Sequence, residues 1–221
     1  MTLTRQSASA LLADLAARRL SAEDLMQATL DRVAEANPAV NAIVAMPDPD
    51  ALMDAARAAD AAPRRGLLHG LPIAVKDLVK VAGLPATQGS PLLADFVPKS
   101  DDLIAARMRA AGAIFIGKTN VPEFGLGSHT FNPVYGATVN PYDPTLSCGG
   151  SSGGAAVALA TGMVALADGS DMMGSLRNPA AWNNVYGFRP SWGLVPSEPE
   201  GDTFLHQVST LGPMARSASG V

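Results

Sequence analysis

Residues 148–189 restrict the fold more than any other part of the chain. They open on Gly149-Gly150-Ser151-Ser152-Gly153-Gly154 and later reach Gly169-Ser170-Asp171-Met172-Met173-Gly174-Ser175-Leu176-Arg177. Glycine widens the backbone's choices and permits close approach, at an entropic cost inside any regular element. Two such runs built around small hydroxyls make poor packing. They suit turns that present backbone N–H groups and Oγ atoms to a ligand. With Lys76 upstream, they read as a hydrolytic site that uses no histidine.

The flanking sequence supplies layers for these turns. Helical periodicity covers residues 7–19 and 21–36. Ser21 with Asp24 resembles a capping box with a shorter acid, and Asn37-Pro38 is expected to end the second helix. Residues 41–46 read as a strand, 50–62 as an alanine-rich helix and 71–75 as a short apolar strand ending at Lys76-Asp77. Ser100 or Asp101 is expected to cap a helix reaching Ala111, with strands at 113–116 and 164–167 and helices at 153–162 and from Asn178-Pro179. Residues 133–146, rich in Pro, Asn and Asp, read as loop. Alternating strands and helices predict an α/β layered fold.

Composition narrows the function classes. In 221 residues, 48% hydrophobic and 16% charged content fits a packed interior and excludes disorder. A net charge of −4, with no basic run interleaved with aromatics, argues against a nucleic-acid or anionic-membrane binder. No apolar run approaches the roughly 20 residues of a membrane helix, and the amino terminus lacks a signal peptide's apolar core. Cys148 is the single cysteine, which rules out an internal disulfide and suits a reducing compartment. His69, His129 and His206 are too scattered for metal-ligand spacing. The expectation is a cytoplasmic protein without a metal or organic cofactor.

Three motif readings compete. Gly112 to Thr119 matches the G-x-x-x-x-G-K-[ST] phosphate loop letter for letter, but its middle residues are themselves strand-like and no long helix follows. Gly149-Gly150-Ser151-Ser152-Gly153 fits a nucleophile elbow, with Asp202 and His206 in the required order. The two prolines in residues 140–145 deny it the preceding strand. The third reading uses all the parts. A serine hydroxyl is a weak nucleophile until a base takes its proton, and a lysine is that base only when neutral. Burial disfavours the ammonium, and Lys76 follows an apolar segment. Ser151 can bridge Lys76 to Ser175, because a hydroxyl donates and accepts at once. The N–H groups of Met172, Met173, Gly174 and Ser175 would then surround a developing oxyanion, each such donor being worth about 3–4 kcal/mol. Taken singly, each residue has a plainer reading: Lys76 as a solvated strand end, Asp171 as a cap, Arg177 as its ion-pair partner. The combination carries the weight.

At these residues the chain resembles the amidase signature family, whose members hydrolyse or transfer carboxamides through a Ser-cisSer-Lys triad. Gly70-Leu71-Pro72-Ile73-Ala74-Val75-Lys76-Asp77 resembles its lysine segment, and Gly112 to Asn120 the strand that follows. Asn140-Pro141-Tyr142, Pro179-Ala180-Ala181, Gly187-Phe188-Arg189-Pro190 and Gly212-Pro213-Met214-Ala215-Arg216 follow in family order, so the likeness spans most of residues 68–216. The resemblance implies Ser175 as nucleophile, Ser151 as relay and Lys76 as base, with a cis peptide between Gly150 and Ser151. Ser152 and Asp171 match supporting positions, and Arg177 joins them as a supporting or substrate-binding residue.

It further implies one domain over residues 1–221, a helical part (1–66) and a catalytic core (67–221) around a central mixed sheet flanked by helices. The expected activity is hydrolysis of a small-molecule carboxamide through an acyl-enzyme, with no nucleic-acid or membrane partner and a homodimer left open. The alternatives are a glutamine-dependent amidotransferase's ammonia-releasing subunit, or an inactive scaffold. Two departures stand out. Met173-Gly174 replaces the usual pair of glycines, so Met173 is either strained or, with Met172, a specificity residue. Relatives also continue well past Gly212-Pro213-Met214-Ala215-Arg216, so the chain is expected to hold roughly the N-terminal half of the family fold.

Overall fold

The computed structural model describes residues 2–197 and 208–220. In chain order they form α1 (Ala8–Ala16), α2 (Ala22–Val40), β1 (Ile43–Val44), α3 (Pro49–Ala61), β2 (Pro72–Lys76), α4 (Leu103–Ala110) and β3 (Ile114–Thr119). Then come β4 (Phe131–Asn132), β5 (Gly136–Ala137), α5 (Gly153–Ala160), β6 (Leu166–Asp171), α6 (Arg177–Trp182), β7 (Tyr186–Gly187) and β8 (Thr210–Ala215). Six strands make one sheet in the order β1-β3-β2-β6-β8-β7; β4 and β5 pair separately. β2 runs parallel to β3 and β6, whereas β1, β7 and β8 are antiparallel to their neighbours. This is a mixed α/β sheet.

Both faces of the sheet are covered. Met26, Leu52, Ala74, Ile116, Ala156 and Leu159 belong to a core built by α2, α3 and α5. Leu11, Ile73, Val75, Phe115 and Ala105 form a second core on the other face, under α1 and α4. β2, buried at every residue, therefore reads as a continuous apolar run rather than an alternating one. Its neighbours are parallel, so the carboxyl ends of β2 and β6 lie side by side, the place where open α/β sheets bind ligands.

Local chemistry moved several boundaries. α2 does not stop at Asn37-Pro38 but runs through Pro38 to Val40. Pro38 forfeits one helical bond, and Asn37 restores order around it. Its Oδ1 accepts the N–H groups of Ala42 and Ile43, both at 2.9 Å, while Asn41 closes the helix in the left-handed region. α4 starts after Asp102, not after Ser100 or Asp101. Asp101 is drawn away by the Ala82 N–H (2.7 Å) and the Arg109 guanidinium. The strands expected at 113–116 and 164–167 lie at Ile114–Thr119 and Leu166–Asp171.

The bulge at Gly117 explains the phosphate-loop lookalike. Pairing shifts between Ile73↔Phe115 and Ala74↔Gly117, with Gly117 at φ 152°. Beyond this bulge Lys118 turns inward, donates to the Val79 carbonyl and pairs with Asp77 at 3.8 Å. Lys118 is fully buried, so its charge is spent inside the protein. Gly154 serves closeness rather than turning. A Cβ there would stand 2.3 Å from the Asn120 backbone nitrogen, so only glycine lets α5 start against the end of β3.

Candidate active site

Lys76, the last residue of β2, is fully buried with its amine among hydroxyls. Nζ donates to Ser151 Oγ at 2.9 Å, Ser152 Oγ at 2.8 Å and Ser170 Oγ at 2.9 Å. Burial lowers its pKa to about 7, against the opposing charges of Asp168 and Asp171. A lysine in that state exchanges a proton near neutrality.

Ser151 and Ser152 sit at the entrance to α5. The Gly150–Ser151 peptide is cis. A serine before a helix usually caps it; Ser152 makes no such bond, and its hydroxyl is given to Lys76 instead. The loop ahead of them is tied down by Thr130 Oγ1 on the Gly149 carbonyl (2.8 Å) and Asn183 Nδ2 on the Cys148 carbonyl (2.7 Å). Cys148 itself is buried, and desolvation pushes its thiol up to about 11, which leaves it unreactive. Among the described residues no strand runs directly into Ser151, as a nucleophile elbow requires; Asp202 and His206 lie outside them.

Ser175 lies in the turn between β6 and α6. The Ser152 N–H donates to its carbonyl at 3.3 Å, which joins the two serine turns. Asp171 organises the rest of this turn. Its fully buried carboxylate accepts the N–H groups of Gly174 (2.8 Å), Leu176 (3.1 Å) and Arg177 (3.4 Å). The Arg177 guanidinium adds two bonds, at 2.9 and 3.0 Å, and Arg189 Nη1 adds another at 3.3 Å. Burial alone would raise this carboxyl; Arg177 and the turn's N–H groups hold it well below the usual carboxylate range.

Gly174, expected among the oxyanion donors, thus directs its N–H at Asp171. No acceptor among the described residues takes the N–H groups of Met172, Met173 or Ser175. The positive φ of the turn, 120°, falls on Gly174, where a Cβ would also stand 2.6 Å from Asn178 Nδ2. Met173 carries no positive φ, so the strained alternative falls away. Its side chain is 84% exposed and that of Met172 40%.

Sequence reasoning missed Ser170 and Arg189, among others. Ser170 contacts Lys76 directly, and its only signal was its place beside Asp171. Arg189 belongs to the Gly187–Pro190 motif but had no role there, yet it grips both the carbonyl and the carboxylate of Asp171. Among the described residues, no cluster of His, Cys, Asp and Glu is placed to hold a metal ion, and no helix is long and apolar enough to cross a membrane.

The amidase family model matches residues 24–221. The indoleacetamide hydrolase of Bradyrhizobium diazoefficiens is 40% identical over 214 residues, covering 91% of this chain and 40% of that protein. A glutamyl-tRNA(Gln) amidotransferase subunit from Acidothermus cellulolyticus is 42% identical over 219 residues, covering 97% and 43%. Among solved structures, a bacterial aryl acylamidase of the amidase signature family superposes with a TM-score of 0.88 at 31% identity, covering 97% of this chain and 46% of that one. The chain spans about two fifths of the length of these curated relatives.

Proposed function

The chain belongs to the amidase family, and on that premise we propose that it hydrolyses a small-molecule carboxamide through an acyl-enzyme on Ser175. The observation that carries the reading is the buried Lys76 amine held 2.9 Å from Ser151 Oγ. Neutral Lys76 takes the Ser151 proton while Ser151 takes that of Ser175, and Ser175 Oγ attacks the amide carbon. Negative charge gathers on the carbonyl oxygen, towards the N–H groups of Met172, Met173 and Ser175; Asp171 retains that of Gly174. As the tetrahedral adduct collapses, the proton on Lys76 returns through Ser151 to the leaving amine. Water then releases the acid by the same relay. Neither a nucleic acid nor a membrane takes part in this reading, and its setting is the cytoplasm.

An acylating serine probe followed by peptide mapping tests this. Label on the Ser175 peptide, lost in Lys76→Ala, is expected; label on another serine overturns it. The relay also sets a pH dependence. The base must be neutral, so kcat/KM should fall as pH drops through about 7 and reach a plateau above it. A flat profile across that pKa would contradict Lys76 as the base. Met173→Gly should broaden the range of acyl groups accepted with little change in stability, because the exposed side chain packs against little. Rates across an acyl-length series check this, and an unchanged ranking would show that the thioether does not meet substrate.

The 42% identity to an amidotransferase subunit supports a second reading, release of ammonia from glutamine for a partner enzyme. Ammonia assays separate the readings. An amidase prefers simple or aryl amides, the amidotransferase prefers glutamine, and a scaffold releases none.

A further inference from the structure

Beneath Lys76, on the other face of the sheet, lies a buried carboxyl group that the acyl-transfer scheme does not use. β6 pairs with β2 at Ala74↔Ala167, and these two alanines join the core under α2, α3 and α5. Asp168, one residue on, turns to the opposite face, where Val75 and Val79 pack and where Lys118 reaches the Val79 carbonyl. Its Oδ1 accepts the Lys76 N–H at 2.8 Å. Its Oδ2 is buried with no hydrogen-bond partner among the described residues. Buried polar atoms are rarely left so, because each forfeits its hydration. A carboxylate tolerated there needs a compensating positive charge, and two buried lysines stand nearby.

We infer that Asp168 is a positioning residue for Lys76, pinning the lysine's backbone from the far face of the sheet and holding a negative charge beneath its amine. The inference rests on the proposed role of Lys76 as base. Charged groups near this pair come from two neighbouring strands: Asp168 and Asp171 from β6, and Lys118 from β3. The start of α5 offers hydroxyls alone, Ser151 and Ser152, and Ser170 adds a third from β6. Asp77, where the chain leaves β2, is spent on Lys118 at 3.8 Å and on Thr87 Oγ1 at 2.6 Å. Burial pushes the Asp168 carboxyl up, while the Lys76 N–H and the charges of Lys118 and Lys76 pull it down. For Lys76 the balance runs the other way: desolvation expels its proton and Asp168 retains it. Asp168 thus keeps the amine from losing its proton too early, so that it can return one to the leaving group.

Asp168→Asn separates anchor from charge, since the amide oxygen can still accept the Lys76 N–H. The chain has four lysines, so 13C-lysine labelling gives few resonances, and Lys76→Arg identifies the one of interest. In Asp168→Asn, the Lys76 midpoint should fall by roughly 1–2 pH units, the scale of a nearby charge at an effective dielectric near 20. The acid limb of kcat/KM should move in the same direction. In the unmodified protein, 13C-aspartate spectra, assigned with Asp168→Glu, should show an ionised Asp168 at about pH 8, well above the ordinary carboxylate range. This readout stands even where Asp168→Asn fails to fold. An unmoved Lys76 midpoint, or a carboxyl still protonated at that pH, overturns the inference. Both titrations need no substrate. Failure of Ser175 to take an acyl group would therefore remove the proposed function and leave the question of Asp168 to be answered separately.

Discussion

Lys76→Ala and Ser175→Ala should each lower amide turnover by about 10⁴-fold or more, and the double variant should fall little further. The reason is that in the proposed scheme the two residues act as one unit. Ser175 without the amine is an ordinary alcohol, and the amine without Ser175 has no nucleophile to serve. Lys76 is tied to Ser151, Ser152 and Ser170 by bonds of 2.8–2.9 Å, so the alanine variant removes the base and leaves three hydroxyls facing a void. Ser151→Ala should lower kcat more than it alters KM, since the proposed relay gives this hydroxyl the task of moving protons and not of holding substrate. Steady-state kinetics of the two single variants and the double variant decide the matter. Near-full turnover in Lys76→Ala, or losses that multiply, would break the relay.

The second large effect is expected at Asp171. Asp171→Asn should lower kcat by roughly 10²–10³-fold, the scale of losing an oxyanion donor, with KM changed much less. The carboxylate is fully buried and takes three N–H groups of the turn that carries Ser175, together with Arg177 and Arg189. An amide in its place turns an NH2 towards one of these donors, and the turn carrying Ser175 must rearrange. Arg177→Ala should cost less, because the N–H groups of Gly174 and Leu176 and the Arg189 guanidinium still hold the acid. Comparing kcat and KM for both variants tests this. An Asp171→Asn enzyme with unchanged kcat would show that the turn holds its shape without the charge.

These two sites were legible to different degrees. Lys76 could be found because it follows an apolar run and stands upstream of two serine-glycine turns, a combination that a solvated strand end does not explain. The paired serine turns were visible because glycine at that density is wasteful unless backbone must approach something closely. Asp171 was legible as a cap or as the ion-pair partner of Arg177, and through the resemblance as a supporting residue. Its hold on the N–H groups of the turn and on two guanidiniums depends on how residues 171–177 fold back, which no spacing rule announces. The phosphate-loop lookalike shows the converse hazard. Its letters are complete, yet Gly117 marks a bulge and Lys118 a buried ion pair, because the strand's register decides which face a side chain joins. Pro38 misled in a similar way, since the side chain of Asn37 supplied bonds that helix rules do not count.

By itself the amino-acid order determined the alternation of strands and helices, the apolar run of β2 and the chemistry offered by Lys76, Ser151 and Ser175. These follow from local periodicity and from what each side chain can donate or accept. The tertiary structure alone decided that β2 and β6 lie side by side, that Ser170 joins the hydroxyls around Lys76, and that Asp168 and Asp171 bring their charges near one amine. Lys76 and Asp168, 92 positions apart, meet only because sheet pairing and two cores bring them together. The strength of their charges depends on the water that this packing removes.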